Sequence, residues 1–89
     1  MTHSYVSYDD SVAASRADFV ARGGNQSTFN KALADRLRDL RDNPRMHPAD
    51  DYGVRRVMLH PTNYQLAWDV VDNIAEPLRV KWARQIDTG

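Results

Sequence analysis

Phe29, Ala32, Leu33, Leu37 and Leu40 recur at i, i+3, i+4, i+8 and i+11, so a helix beginning near Ser27 or Thr28 has one apolar face. Such a face has to be covered, and a chain of 89 residues has material for only one core. The opposite face carries Lys31 with Asp35 and Arg38 with Asp42, pairs one helical turn apart, and Asn43-Pro44 ends the segment. What the rest of the chain must supply is a surface to lie against that stripe.

Upstream, Asp9 and Asp10 are placed to cap a first helix over residues 11–22, with Val12, Ala13, Ala17, Phe19 and Val20 as its apolar members and Gly23-Gly24 as its stop. The N-terminal half therefore reads as a helical hairpin. Before it, residues 1–8 read as an arm or an edge strand, because Ser4-Tyr5-Val6-Ser7-Tyr8 is β-prone and aromatic. Downstream, residues 44–53 hold two prolines, a glycine and Asp50-Asp51, and form an internal loop. Residues 52–59 follow as a short strand between Gly53 and Pro61.

Thr62-Asn63-Tyr64-Gln65 has the capping-box pattern, which predicts a helix running to about Ile74 with Tyr64, Ala67, Val71 and Ile74 along one face. After Pro77, Leu78, Val80 and Trp82 alternate with Arg79 and Lys81, which predicts a strand over 78–86; Leu78, Trp82 and Ile86 also fit a helical repeat. The expected fold is a single α+β domain over residues 1–89, a helical hairpin followed by a strand-helix-strand unit, with an all-α bundle as the alternative.

Several function classes are disfavoured. Twelve acidic and twelve basic side chains leave a formal net charge of zero, so no global field draws the chain to nucleic acid or an anionic membrane. No apolar run approaches the roughly 20 residues of a membrane helix, and residues 1–10 lack the pattern of a secretory signal; the expected compartment is the cytoplasm. Without cysteine there is no disulfide and no thiolate site. His3, His47 and His60 have no metal-ligand spacing, the carboxylate pairs Asp50/Asp51 and Asp69/Asp72 fit a loop and a solvated helix face, and no phosphate-cradling glycine loop is present. No enzyme, metal or cofactor is expected. The one acid/base arrangement worth testing sets His47 beside Asp50 or Asp51.

What remains is surface. Arginine outnumbers lysine ten to two and aspartate outnumbers glutamate eleven to one, which fits either the codon usage of a high-GC bacterium or its phages or a preference for the planar bidentate pairing of Arg with Asp. Arg36, Arg38, Arg41 and Arg45, joined by Arg55 and Arg56, form either a salt-bridged face interleaved with Asp35, Asp39 and Asp42 or a partner-binding patch. Tyr5 and Tyr8 are the second candidate contact.

Residues 17–33 resemble the helix-turn-helix of DNA-binding regulators, with Gly23 as the turn glycine and Ser27-Thr28-Phe29-Asn30-Lys31-Ala32-Leu33 as the start of the recognition helix. The resemblance implies that Gln26, Ser27, Thr28, Asn30 and Lys31 face base edges and phosphates. Phe19, where that motif has a small residue, and Gly24, where it has an apolar one, depart from it. The expected function is a non-enzymatic interaction module acting on a larger protein partner or by self-association, with a DNA-binding regulator as the alternative.

Overall fold

The computed structural model describes residues 7–83, and Tyr5 lies outside them. Helix α1 spans Tyr8–Ala21 and α2 spans Gln26–Asp42. Strands β1 (Arg55–Met58), β2 (Tyr64–Val71) and β3 (Ile74–Trp82) form an antiparallel sheet in the order β1-β2-β3. The result is a small compact α+β domain with both helices ahead of the sheet.

The expected hairpin is present, with shifted starts. Ser7, rather than Asp9 or Asp10, caps α1: its hydroxyl accepts from the Asp10 amide at 3.2 Å, and the two aspartates occupy the first turn, where the helix dipole favours negative charge. Tyr8 is therefore the first helical residue and not part of an arm. At the other end Gly23 takes a left-handed φ of 97°, and the Gly23 and Gly24 amides bond the Val20 and Phe19 carbonyls in a Schellman arrangement. Phe19 and Gly24 are in contact, since a Cβ on Gly24 would lie 2.4 Å from the Phe19 ring. The two departures from the helix-turn-helix pattern thus compensate each other. Asn25 caps α2 through its side-chain oxygen, which accepts from the Ser27 amide at 2.7 Å.

The helix expected after Thr62 is absent; residues 64–71 are a strand, and the all-α alternative falls with it. Thr62 forms a turn instead, its hydroxyl donating to the Leu59 carbonyl at 2.6 Å and accepting from the Tyr64 amide at 3.2 Å. Tyr64, Leu66 and Trp68 alternate onto the inner face of the sheet and are all buried. Ala67 is buried too, on the outer face, where it pairs with Arg56 and Arg79, and its spacing from Tyr64 imitates a helical turn, whereas Val71 and Ile74 of the expected helical face are exposed. Asp72 and Asn73 adopt φ of 53° and 66°, the two left-handed positions of a tight hairpin turn. Of the strand expected over 78–86, residues 78–82 are the second half of β3, which begins earlier and takes Pro77 into an edge position beside a register shift at Ala67/Trp68, while 84–86 lie outside the described residues.

The apolar face of α2 meets this sheet. Phe29, Ala32, Leu33 and Leu40 pack with Val57, Leu59, Tyr64, Leu66, Trp68 and Val80. Helix α1 joins differently: its buried residues are Ser11 and Ser15, while Val12 and Phe19 only flank the core and Val20 remains exposed. The peptide groups of Val80 point away from β2. Ser11 Oγ accepts from the Val80 amide at 2.9 Å, and Ser15 Oγ donates to the Val80 carbonyl at 3.1 Å.

Ser11→Ala and Ser15→Ala should each lower stability by about 1–3 kcal/mol, because each strands a buried backbone group. Urea unfolding measures this. Unchanged midpoints would mean that α1 is held by its flanking apolar contacts instead.

Candidate binding groove between α1 and β3

Tyr8, Ser11, Ser15, Asp18 and Arg22 recur every three or four residues, so they form one stripe along α1. That stripe faces β3, and the crease between them is an open groove of about 960 Å³. Ala14 adds an exposed apolar position on the helix side; Leu78 and Trp82 supply apolar surface from the strand. Arg79 and Lys81 lie along the same wall.

At the Trp82 end, four side chains form a linked set. The Tyr64 hydroxyl donates to Asp18 Oδ2, and Arg22 Nε donates to the same oxygen at 2.9 Å. The Arg22 guanidinium also sits 4.0 Å from the centroid of the Trp82 ring. Behind them Phe19, Phe29 and Tyr64 pack ring to ring, with centroids 5.8–6.2 Å apart, which anchors this end to the core. The hydrogen bond from Tyr64, then that from Arg22, holds the Asp18 carboxyl below its ordinary value. Burial, then the bond to Asp18, pushes the Tyr64 phenol up to about 12. Burial and the neighbouring Asp9 raise Tyr8.

The arginines divide between architecture and open surface. Arg36 donates through Nε to the Met58 carbonyl at 3.0 Å, on the edge of β1, and pairs with Asp39. Arg38 pairs with Asp35, and Arg56 pairs with Asp50 at 3.0 Å. Arg55 donates to the Arg45 and His47 carbonyls, so it laces the 44–53 loop to β1. Trp68 fastens the same loop from the core, donating from its indole to the Pro44 carbonyl at 2.8 Å. The side chains of Arg41 and Arg45 are exposed and make no ion pair among the described residues. Of the predicted contact residues that are described, Tyr8 alone lines the groove.

His47 lies beside the Trp68 ring, away from the groove. The Asp50 carboxylate is taken up by the Tyr52 and Val54 amides and by Arg56. Gln26, Ser27, Asn30 and Lys31 are exposed on the first turns of α2, with Thr28 half-buried beside them. Asn30 accepts from Arg16 at 3.1 Å, and Lys31 pairs with Asp35. Among the described residues no three acidic or histidine side chains converge as metal ligands, and no helix is long and apolar enough to cross a membrane.

Among the groove residues that sequence reasoning passed over, Ser11, Ser15, Asp18 and Arg22 form the helix side, and Leu78 and Trp82 are the apolar members of the strand side. The helix side was signalled by a polar stripe at helical spacing, but apolar residues were taken to mark the buried side.

The tyrosine–aspartate pair has a sign that titration can read. Tyr64 has a folded value of about 12 against 10.0 for an ordinary phenol, so its stabilisation is complete below pH 10 and declines as pH rises towards 12. Asp18 acts in the opposite range: its contribution is present above the ordinary value of 3.8 and is lost as pH falls through the lower folded value. Tyrosinate absorbance should show a late-titrating phenol that Tyr64→Phe removes and Asp18→Asn moves down. A titration unaltered by either substitution would contradict the pairing. The chain matches no family model, and no curated protein matches it significantly.

Proposed function

We propose that this domain is a non-enzymatic interaction module that receives a segment of a protein partner in the groove between α1 and β3. The observation that carries the reading is the shape and lining of that groove: about 960 Å³, open to solvent, mostly apolar, and ending at Trp82 beneath a guanidinium. Tyrosine, tryptophan and arginine are the side chains that dominate binding energy at protein interfaces. Here Tyr8 stands at one end of the stripe and Trp82 with Arg22 at the other. The helix between them is about 20 Å long at 1.5 Å per residue. That length suits several residues of a polypeptide better than one small molecule, whose surface an enclosed pocket would mostly bury.

Preorganisation supports the same reading. Tyr64 and Asp18 hold Arg22, and Arg22 holds Trp82, so the end of the groove is ordered before anything docks.

Display of genomic fragments from the source organism, selected on the folded domain, tests the proposal. Selected fragments should lose binding to an Ala14→Arg variant, which fills the groove from an exposed helical position. They should retain binding to an Arg41→Glu/Arg45→Glu variant, which alters exposed arginines elsewhere. The reverse pattern, or no selected fragment, would overturn the reading.

A further inference from the structure

We infer that a second cavity, at the Trp82 end of the groove, is an anchor subsite for one aromatic side chain of the partner segment; the inference rests on the groove being the binding site. This cavity has a volume of about 180 Å³ and is more enclosed than the groove. Phe19, Gly24 and Asn63 line it together with Arg22, Tyr64 and Trp82, and those last three also line the groove. They therefore form the partition between the two spaces. A side chain carried past that partition leaves the groove and enters the cavity.

Two rings have surface here that the core does not cover. Phe19 packs against Phe29 and Tyr64 yet is only half-buried, and Trp82 is half-buried beneath the Arg22 guanidinium. Both contribute to the cavity lining. Gly24 holds the Phe19 ring where it is, since a Cβ there would lie 2.4 Å from the ring and displace it.

Size and chemistry select the occupant. A cavity of about 150 Å³ takes a benzene ring, so this one takes a single aromatic side chain. Such a ring meets Phe19, Tyr64 and Trp82 through edge-to-face or offset contacts, which an aliphatic side chain of equal area lacks. Asn63 is exposed and offers its amide to the polar tip of a phenol or an indole. Recognition here uses no rim charge: Arg22 stays bonded to Asp18, and its planar guanidinium serves as a wall over Trp82. Along the groove, the roughly 20 Å of α1 matches about six residues of extended chain at about 3.3 Å each. The motif called for is a short segment with its aromatic anchor at the end that meets Trp82.

Selection of a random peptide library on the folded domain, followed by heteronuclear NMR of the domain with a synthetic consensus peptide, is the test. The expected consensus fixes one Phe, Tyr or Trp. Replacing that residue by Leu should weaken binding about threefold to tenfold, and replacing it by Ala at least about tenfold. The Gly24 amide and Asn63 side-chain signals, which belong to the second cavity and not to the groove, should shift with the Trp82 indole and stay in place with the Ala peptide. Asn63→Phe, which fills the cavity from an exposed turn position and is checked for folding by its NMR dispersion, should abolish the advantage of the aromatic peptide over its Ala variant. Peptides that are lost on Ala14→Arg yet fix no aromatic residue, or leave the Gly24 and Asn63 signals unmoved, would overturn the subsite and leave the groove standing. Peptides indifferent to Ala14→Arg, or no enrichment, would overturn the groove and the subsite with it.

Discussion

Burial of one helix face on one face of a three-stranded sheet is the constraint on which the rest of this domain depends. The chain has no cysteine, so no disulfide limits its unfolded state. Phe29, Leu40, Leu66 and Trp68 are fully or almost fully buried, and each such side chain is worth about 1.5–3 kcal/mol in transfer free energy. Trp68 sits where these contributions meet. It packs in the core, bonds the Pro44 carbonyl and stands beside His47, so the loop that carries the chain from α2 to β1 is tied to the same burial. The twelve residues between Asp42 and Arg55 are thereby ordered from below.

Helix α1 could not be attached by the same means, because α2 already occupies the inner face of the sheet. It attaches through two hydroxyls to the amide and carbonyl of a single residue of β3. This is the physical origin of the groove. A helix docked by leucine or phenylalanine would interdigitate with the strand and close the crease; one docked by serines, with alanine beside them, approaches closely at one point and leaves space on either side. The groove is a consequence of how the helix is held.

The parts of the fold legible in the sequence were those written in apolar periodicity. The stripe from Phe29 to Leu40 located α2, and Gly23-Gly24 located the turn before it. The existence of α1 was legible but not its orientation, since its buried positions are serines. β2 was misread because two signals agreed by coincidence: Thr62 and Gln65 have the spacing of a helix cap, and Ala67 is buried on the face opposite Leu66. The hairpin turn at Asp72-Asn73 lacks the glycine that most often marks a left-handed pair. The arginine cluster shows the same limit for the site. Whether a guanidinium meets water or a carbonyl 22 residues away, as Arg36 meets Met58, depends on tertiary placement that spacing does not encode.

The two edges of the sheet bear on how such a domain tells one partner from another. A short sheet normally offers its outer strands as templates, and any extended chain can add to them through backbone bonds that ignore sequence. Here β3 is interrupted at Val80 by the serines and lacks a donor at Pro77, while on β1 the Met58 carbonyl is already taken by Arg36. Strand addition is thus hindered at Val80 and Pro77 on β3 and at Met58 on β1. On the proposed reading a partner is recognised through its side chains, and discrimination passes from the main chain, which every polypeptide shares, to the residues that distinguish one from the next.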